Sequence, residues 1–277
     1  MTGARVSPTA KSLGAEVLSK VPAVTLGFWA IKILATTLGE TGGDTVTMTW
    51  LGETTAEGNG YGYLIGTGIF ATLLVVLVAL QIRARRFNAW LYWATIVAST
   101  TAGTTMADFF DRSLGIGYAG GASALLVLVL ASLGLWRWLE GTVSVDTVNT
   151  PRVELFYWVT ITFSQTLGTA LGDWMADDAG VGFLGGVGIF GAALAVVAAL
   201  YFWTRISRVA LFWAAFILTR PLGATLGDFL DKPHDDGGLA LSRPIATLVI
   251  AVVMLALIVI LPQRPGSHPR APSQATA

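Results

Sequence analysis

The chain has no cysteine, so neither disulfides nor thiolate metal sites are open to it. Histidine is nearly missing as well. His234 and His268 both lie outside the apolar stretches, which leaves no nucleophile–histidine–acid set among those stretches and makes a histidine-rich zinc or copper site a poor expectation. Charge is scarce: 12% of residues are Asp, Glu, Lys or Arg, against about a quarter in a soluble domain. No phosphate-binding glycine motif precedes a soluble helix, and no loop is long enough to hold a nucleotide domain. The Gly-x-Gly-Asp order of intramembrane aspartyl proteases is missing too. The first twenty residues lack a signal-peptide apolar core, so no cleaved leader is expected. No cofactor and no nucleic-acid partner are expected, and enzyme chemistry is disfavoured.

What the chain does have is hydrophobic length. Apolar runs at 65–80, 122–135, 187–203 and 245–261 reach or approach the roughly 20 residues that span a bilayer, and helices satisfy their own backbone groups there. The pattern predicts an all-α integral membrane protein with helices near 22–43, 61–82, 88–107, 115–138, 153–172, 180–203, 207–227 and 242–261. A polar tail, 1–20, precedes them, with Arg5, Lys11 and Lys20, and a Pro-rich tail, 262–277, reads as disordered. The organisation between the tails is 21–86, 87–152 (with a polar connector), 153–206 and 207–261, two helices in each. Twelve of the seventeen Lys and Arg fall in or beside the tails and the loops after helices 2, 4 and 6. The positive-inside rule then makes both termini cytoplasmic. The opposite side is acidic, with Glu53, Glu57, Asp111, Asp177, Asp178, Asp231, Asp235 and Asp236 among its residues.

One pattern repeats four times. From Trp158, a polar residue follows at seven (Gln165), a glycine at ten (Gly168), a small residue at fourteen (Gly172) and an aspartate at fifteen (Asp173). Trp29 gives Thr36, Gly39, Gly43 and Asp44; Trp93 gives Thr100, Gly103, Ala107 and Asp108; Trp213 gives Arg220, Gly223, Gly227 and Asp228. An aromatic residue precedes each tryptophan: Phe28, Tyr92, Tyr157 and Phe212. Four fits in one register make an internal repeat. All four share one sense in the membrane, a parallel-repeat plan. Repeats 2 and 4 agree further, Asp108-Phe-Phe-Asp111-Arg112 against Asp228-Phe-Leu-Asp231-Lys232.

Odd helices carry Lys32, Thr36, Glu40, Thr100, Thr104, Gln165, Thr169, Arg220 and Thr225, whereas even helices are nearly pure aliphatic beyond glycine-rich starts. An ionisable side chain costs at least about 2.5–3.5 kcal/mol at a bilayer centre. The odd helices are therefore expected inside and the even ones around them. Gly39, Gly43, Gly103, Gly168, Gly172, Gly223 and Gly227 form small-xxx-small patterns suited to close helix approach, and packing is their first expectation. For Trp29, Trp93, Trp158 and Trp213 it is an aromatic belt at the membrane face, with substrate contact as the alternative. On the repeat ruler Glu40 and Arg220 lie one turn apart, so a cross-helix pair is expected with Lys32 beneath; latch and gate are both open to it. Pro221, in mid-helix, predicts a kink. Asp44, Asp108, Asp173 and Asp228 would form a ring if the repeats surround one axis, an arrangement that attracts cations. Their alternative is solvated helix ends. Oxygen ligands would suit Mg, Ca or Mn; whether a metal binds is left open.

The four Trp…Gly…(Gly/Ala)-Asp copies, and the opening Lys32-Ile-Leu-Ala-Thr-Thr-Leu-Gly-Glu40-Thr-Gly-Gly-Asp44, resemble a bacterial family of membrane proteins built from four tandem two-helix repeats of unknown function. The resemblance covers about 22–261 and implies a bacterial inner-membrane protein, but no activity. The fourth repeat fits least, with Arg220-Pro221 and no helix 8 glycines. The expected function is transport of a small solute or ion, a cation being favoured because the four motif Asp and Glu40 outnumber Lys32 and Arg220 by five to two. The alternative is a membrane scaffold or partner-binding subunit with a structural polar core. A weaker third reading is a lipid-directed enzyme using Asp108 with Asp111 or Asp228 with Asp231.

Overall fold

The computed structural model describes residues 17–53, 58 and 60–268. Arg5, Lys11, Glu57 and residues 269–277, named above, lie outside them. Eight long helices carry the chain: α1 (Leu26–Asp44), α2 (Tyr61–Arg83), α3 (Ala89–Asp108), α4 (Tyr118–Glu140), α5 (Pro151–Asp173), α6 (Gly182–Trp203), α7 (Arg208–Asp231) and α8 (Arg243–Ile260). Each odd helix begins on a side-chain cap: Thr25, Asn88, Thr150 and Ser207 accept from the amides of Phe28, Leu91, Val153 and Ala210. Such a cap satisfies one of the donors that a helix start leaves unbonded. Helices α2 and α4 instead begin after Gly60 and Gly117, both at positive φ, which a side chain would resist.

The first three odd helices end at their motif aspartates and pass into π-helical turns, Thr45–Trp50, Phe109–Ser113 and Trp174–Asp178. Helix α7 continues three residues past Asp228 to Asp231. It runs through Pro221 as one element, with the Thr225 hydroxyl donating to the Pro221 carbonyl.

The packing order closes on itself. Helix α1 packs on α3 and α7, and α5 packs on the same two, so the odd helices form a square ring. Each even helix leans on the odd helix of the next repeat: α2 on α3, α4 on α5, α6 on α7, and α8 back onto α1. Hairpin partners scarcely touch, so the repeats interleave like staves. Lys32, Thr36, Thr100, Thr104, Gln165, Thr169 and Arg220 are all fully buried in the ring. The even helices present Val75, Val127, Val196 and Leu248 outward. Five helices, α2, α4, α6, α7 and α8, are long and apolar enough to cross a membrane. An exposed aliphatic surface of this extent demands apolar surroundings.

Even helices dock through the glycines near their starts. Gly66 seats Thr47, Gly121 seats Asp111, and Gly186 seats Thr225. Helix α8, without them, uses the apolar stripe Ala246, Ile250, Met254 and Ile258.

Two expectations change here. Parts of both tails are ordered: β1 (Val17–Pro22) pairs antiparallel with β2 (Pro265–His268). The connector joins them, with the Lys20 amide donating to the Val148 carbonyl at 2.8 Å. The Lys20 ammonium lies 2.5 Å from Glu154, locking this platform to α5. The four motif tryptophans also form no outward belt. Trp93, Trp158 and Trp213 are buried with Phe28, Tyr92, Tyr157, Phe212 and Phe216 in one aromatic core at the start of the odd helices, and Trp29 packs against it. Their polar edges find partners within the protein: Trp213 Nε1 donates to the Val143 carbonyl at 2.9 Å and Trp93 Nε1 to Gln263 Oε1 at 3.1 Å. That satisfaction lets indoles sit inside instead of at a wet interface.

Candidate functional site

Side chains four residues apart on a helix share a face, so the ring's interior is built in layers. Counted from the tryptophans, the layer at minus one is Phe28, Tyr92, Tyr157 and Phe212, tied by the Tyr92 and Tyr157 hydroxyls at 2.6 Å. Above it stand Lys32, Ile96, Ile161 and Phe216, then Thr36, Thr100, Gln165 and Arg220. Next come Glu40, Thr104, Thr169 and Ala224, and finally the four motif aspartates. The ring thus grades from an aromatic floor to a carboxylate rim.

The glycines at ten explain how these layers approach. A Cβ on Gly39 would overlap Thr100, one on Gly103 would meet Gln165, one on Gly168 would overlap Arg220, and one on Gly223 would overlap Thr36. Each repeat's glycine is therefore filled by the next repeat's residue at seven, and the fourth is filled by the first. Gly43 receives Thr104, Gly172 receives Ala224 and Gly227 receives Glu40 in the same sense. Thr36 and Thr100 serve this contact: their hydroxyls donate across helices to the carbonyls of Thr219 and Ala35, each at 3.1 Å.

Arg220 is the hub. Nη1 donates to Glu40 Oε2 at 2.8 Å, and Nη2 donates to Thr104 Oγ1 at 2.7 Å and to Thr169 Oγ1. One guanidinium thus bonds to each of the other three inner helices, which its planar fork of donors permits. The expected Glu40–Arg220 pair is present, and both residues are buried. Lys32 lies apart from it. Its ammonium rests 4.2 Å from the centre of the Phe216 ring and finds no hydrogen-bond partner among the described residues. The Gln165 amide, packed beside Gly103, is likewise unpartnered at both ends.

At the rim the four aspartates are buried, not solvated. Two cations bridge them in pairs. Lys232 lies 2.9 Å from Asp44 and 3.0 Å from Asp228. Arg112 lies 2.9 Å from Asp108 and 3.7 Å from Asp173. Burial opposes the charge of Lys232, but Asp228, Asp44 and Asp231 outweigh it and hold its ammonium well above the usual lysine range. Asp108 and Asp173 do the same for Arg112. These cations correct the five-to-two charge count, which left both outside the ring. Their signal was in the sequence: each follows a motif aspartate by four residues, in repeats 2 and 4 alone.

Carboxylates also meet across the ring. One oxygen each of Glu40, Asp173 and Asp228 lie within 4.8 Å of one another, and so do those of Asp44, Asp228 and Asp231. Glu40 and Asp173 belong to opposite helices, so the first group spans the axis. Such oxygen sets suit hard cations.

Fold and site together define a four-repeat helical protein, with helices suited to a bilayer and a charged axis inside. The chain belongs to the family described as Repeat of Unknown Function (DUF347), whose model matches residues 27–87, 91–142, 156–207 and 211–262. No curated protein and no solved structure matches it.

Proposed function

We propose that the protein moves a small cation through the axis between α1, α3, α5 and α7. All eight helices cross the membrane in this reading. The cation-rich loops and both termini lie on the cytoplasmic side of a bacterial inner membrane, and the aspartate rim opens outward. The observation that carries the reading is the column of carboxylates buried along one axis, incompletely matched by fixed cations. Burying charge is costly, and a column that only held helices together would gain nothing from crowding five carboxylates onto the three cations paired with them. The rim would draw cations, the Arg220–Glu40 pair would gate their descent, and the aromatic floor would close the inner end. With the rim buried and the pair intact, the conformation described is an occluded one.

Flux in proteoliposomes across a panel of monovalent and divalent ions tests this. Saturable flux that Glu40→Gln and Asp173→Asn each reduce by about tenfold or more is the expected result. Absence of flux, or flux indifferent to both substitutions, removes the reading.

One observation favours a second reading, a non-transporting scaffold. The glycine-to-side-chain contacts close around the ring four times over and pack it without need of a solute. A scaffold would give a folded, ion-impermeable protein in the same assay.

A further inference from the structure

We propose that the groove where α6 meets the α1–α7 seam holds one anionic phospholipid, its phosphate on Arg208 and an acyl chain along the groove. The site requires the even helices to lie in a bilayer, but it does not require the axis to conduct.

The groove marks a break in the repeat pattern. The first three even helices dock through a glycine near their start, and the residue fifteen positions past it is Gln81 on α2, Trp136 on α4 and Tyr201 on α6. Trp136 is fully buried and plugs the α5–α7 seam, its ring 6.4 Å from Tyr157 and 5.8 Å from Trp213 between centres. Gln81 is buried too, and its carbonyl accepts from the Lys20 ammonium at 3.1 Å. By the same rule Tyr201 should fill the α1–α7 seam, yet it is 48% exposed. Its ring serves Arg208 instead, whose guanidinium carbon lies 4.3 Å from the ring centre. The seam left unplugged is a cavity of about 710 Å³, within the range of roughly 300–1,000 Å³ typical of ligand sites.

Its lining and length fit one lipid chain. Trp29 and Ile33 of α1, Leu194 and Ala198 of α6, and Ala215 and Thr219 of α7 form the walls. Val209 and Thr219 mark its extent along α7, ten residues apart. At a helical rise of about 1.5 Å per residue that is roughly 15 Å, half of a hydrocarbon core of about 30 Å. The groove is thus one leaflet deep. Left empty in hydrocarbon it would forfeit dispersion contacts along its walls, and an acyl chain restores them.

The mouth makes the occupant specific. Arg208 Nη1 donates to the Tyr201 carbonyl, which together with the ring contact fixes the guanidinium at the groove. Neither Arg208 nor Arg205, three residues before it and also exposed, pairs with a carboxylate among the described residues. Asp146 is the one acid in the lining, and its carboxylate accepts from the Ser144 hydroxyl at 3.4 Å. Two free cations against one engaged acid favour a negative head group, the selection that basic pockets between spanning helices make. At the deep end the Thr219 carbonyl accepts from Thr36 across the same seam. A chain seated there braces the two helices that Arg220 and Glu40 join.

Native mass spectrometry of the full-length protein in detergent, with phosphatidylglycerol titrated against phosphatidylcholine, tests the site. One tightly held phosphatidylglycerol per chain is expected, bound about tenfold or more tighter than phosphatidylcholine. Arg208→Gln should remove that preference, and Ala198→Trp, which puts an indole into the groove, should abolish retention. Arg137→Gln, at an equally exposed arginine beside the seam that Trp136 plugs, should change neither. Equal retention of the two lipids, a preference that survives Arg208→Gln, or an equal loss in Arg137→Gln would overturn the site. Competition by inorganic phosphate or by oleate as effective as that of phosphatidylglycerol would overturn it as well. The comparison of Arg208→Gln with Arg137→Gln decides the matter even where Ala198→Trp fails to fold. Loss of the lipid site leaves the cation reading standing, and absence of ion flux leaves the lipid site standing.

Discussion

Arg220 reaches three helices from a fourth, so its removal should be felt by all of them. Replacing it with methionine leaves Glu40 buried beside Asp228 without its cation. Breaking a buried pair in this way costs about 3–5 kcal/mol. Glu40→Gln leaves the guanidinium, which cannot give up its proton, less well matched. The double variant E40Q/R220M should therefore lose less than the two single losses added together, with a coupling of roughly 2–3 kcal/mol in reversible unfolding from detergent. A sum without coupling would mean that the two side chains do not interact in the folded protein. Glycines offer a second contrast at this scale. Gly39→Ala drives a methyl into Thr100 and should destabilise by about 1–3 kcal/mol. Gly68→Ala meets nothing within 4 Å and should be neutral or gain up to about 1 kcal/mol of helix propensity. Thermal unfolding of the two variants side by side checks both.

The helices themselves were legible. Apolar length marked α2, α4, α6 and α8, and the repeat ruler marked the others, because hydrocarbon and a recurring glycine leave strong local signatures. The Glu40–Arg220 pair followed from register, and the sheltering of Lys32 within the ring from the cost of an ionisable side chain in hydrocarbon. The strands β1 and β2 were not legible. Their partners lie some 245 residues apart in sequence, and a four-residue segment such as Pro265–His268 has no alternation to read. The π-helical turns gave no warning either, since a ladder one residue wider has no compositional mark. Trp93 and Trp213 misled for a related reason: the partners that let them sit inside, Gln263 and the Val143 carbonyl, come from segments read as tail and connector. The turn after α3 carries a prediction of its own. Burial, with Asp178 adding to it against the pull of Arg112, pushes the Asp111 carboxyl up to about 6. A carboxyl held above its unfolded value binds more protons folded than unfolded, so between about pH 4 and 6 its contribution to stability falls as pH rises. Unfolding measured across that window should show a negative slope from Asp111, and Asp111→Asn should flatten it.

At the scale of the molecule, the closure of α8 onto α1 makes the order of repeats nearly arbitrary. The strands hold the described ends of the chain side by side, and the segment between α6 and α7, residues 204–207, is short and largely exposed. A circular permutant that joins the ends by a flexible linker and opens between Thr204 and Ser207 should insert with its termini on the same side as before. It should also keep an unfolding temperature within a few degrees of the parent, roughly the effect of 1 kcal/mol or less. Loss of the folded state would show that the strand platform must be continuous with α1 from the start.

The single guanidinium at the hub is something a symmetric assembly of identical units cannot supply. Four free copies of one two-helix unit, assembled as a homotetramer, would have to present the same side chain four times at the seventh position. Four arginines meeting there would repel, and four threonines would leave Glu40 unanswered. In the single chain one repeat supplies the arginine, a second the glutamate, and the remaining two the hydroxyls that complete its set of partners. Covalent linkage of the repeats thus does more than fix stoichiometry: it permits an asymmetric centre inside a nearly fourfold shell.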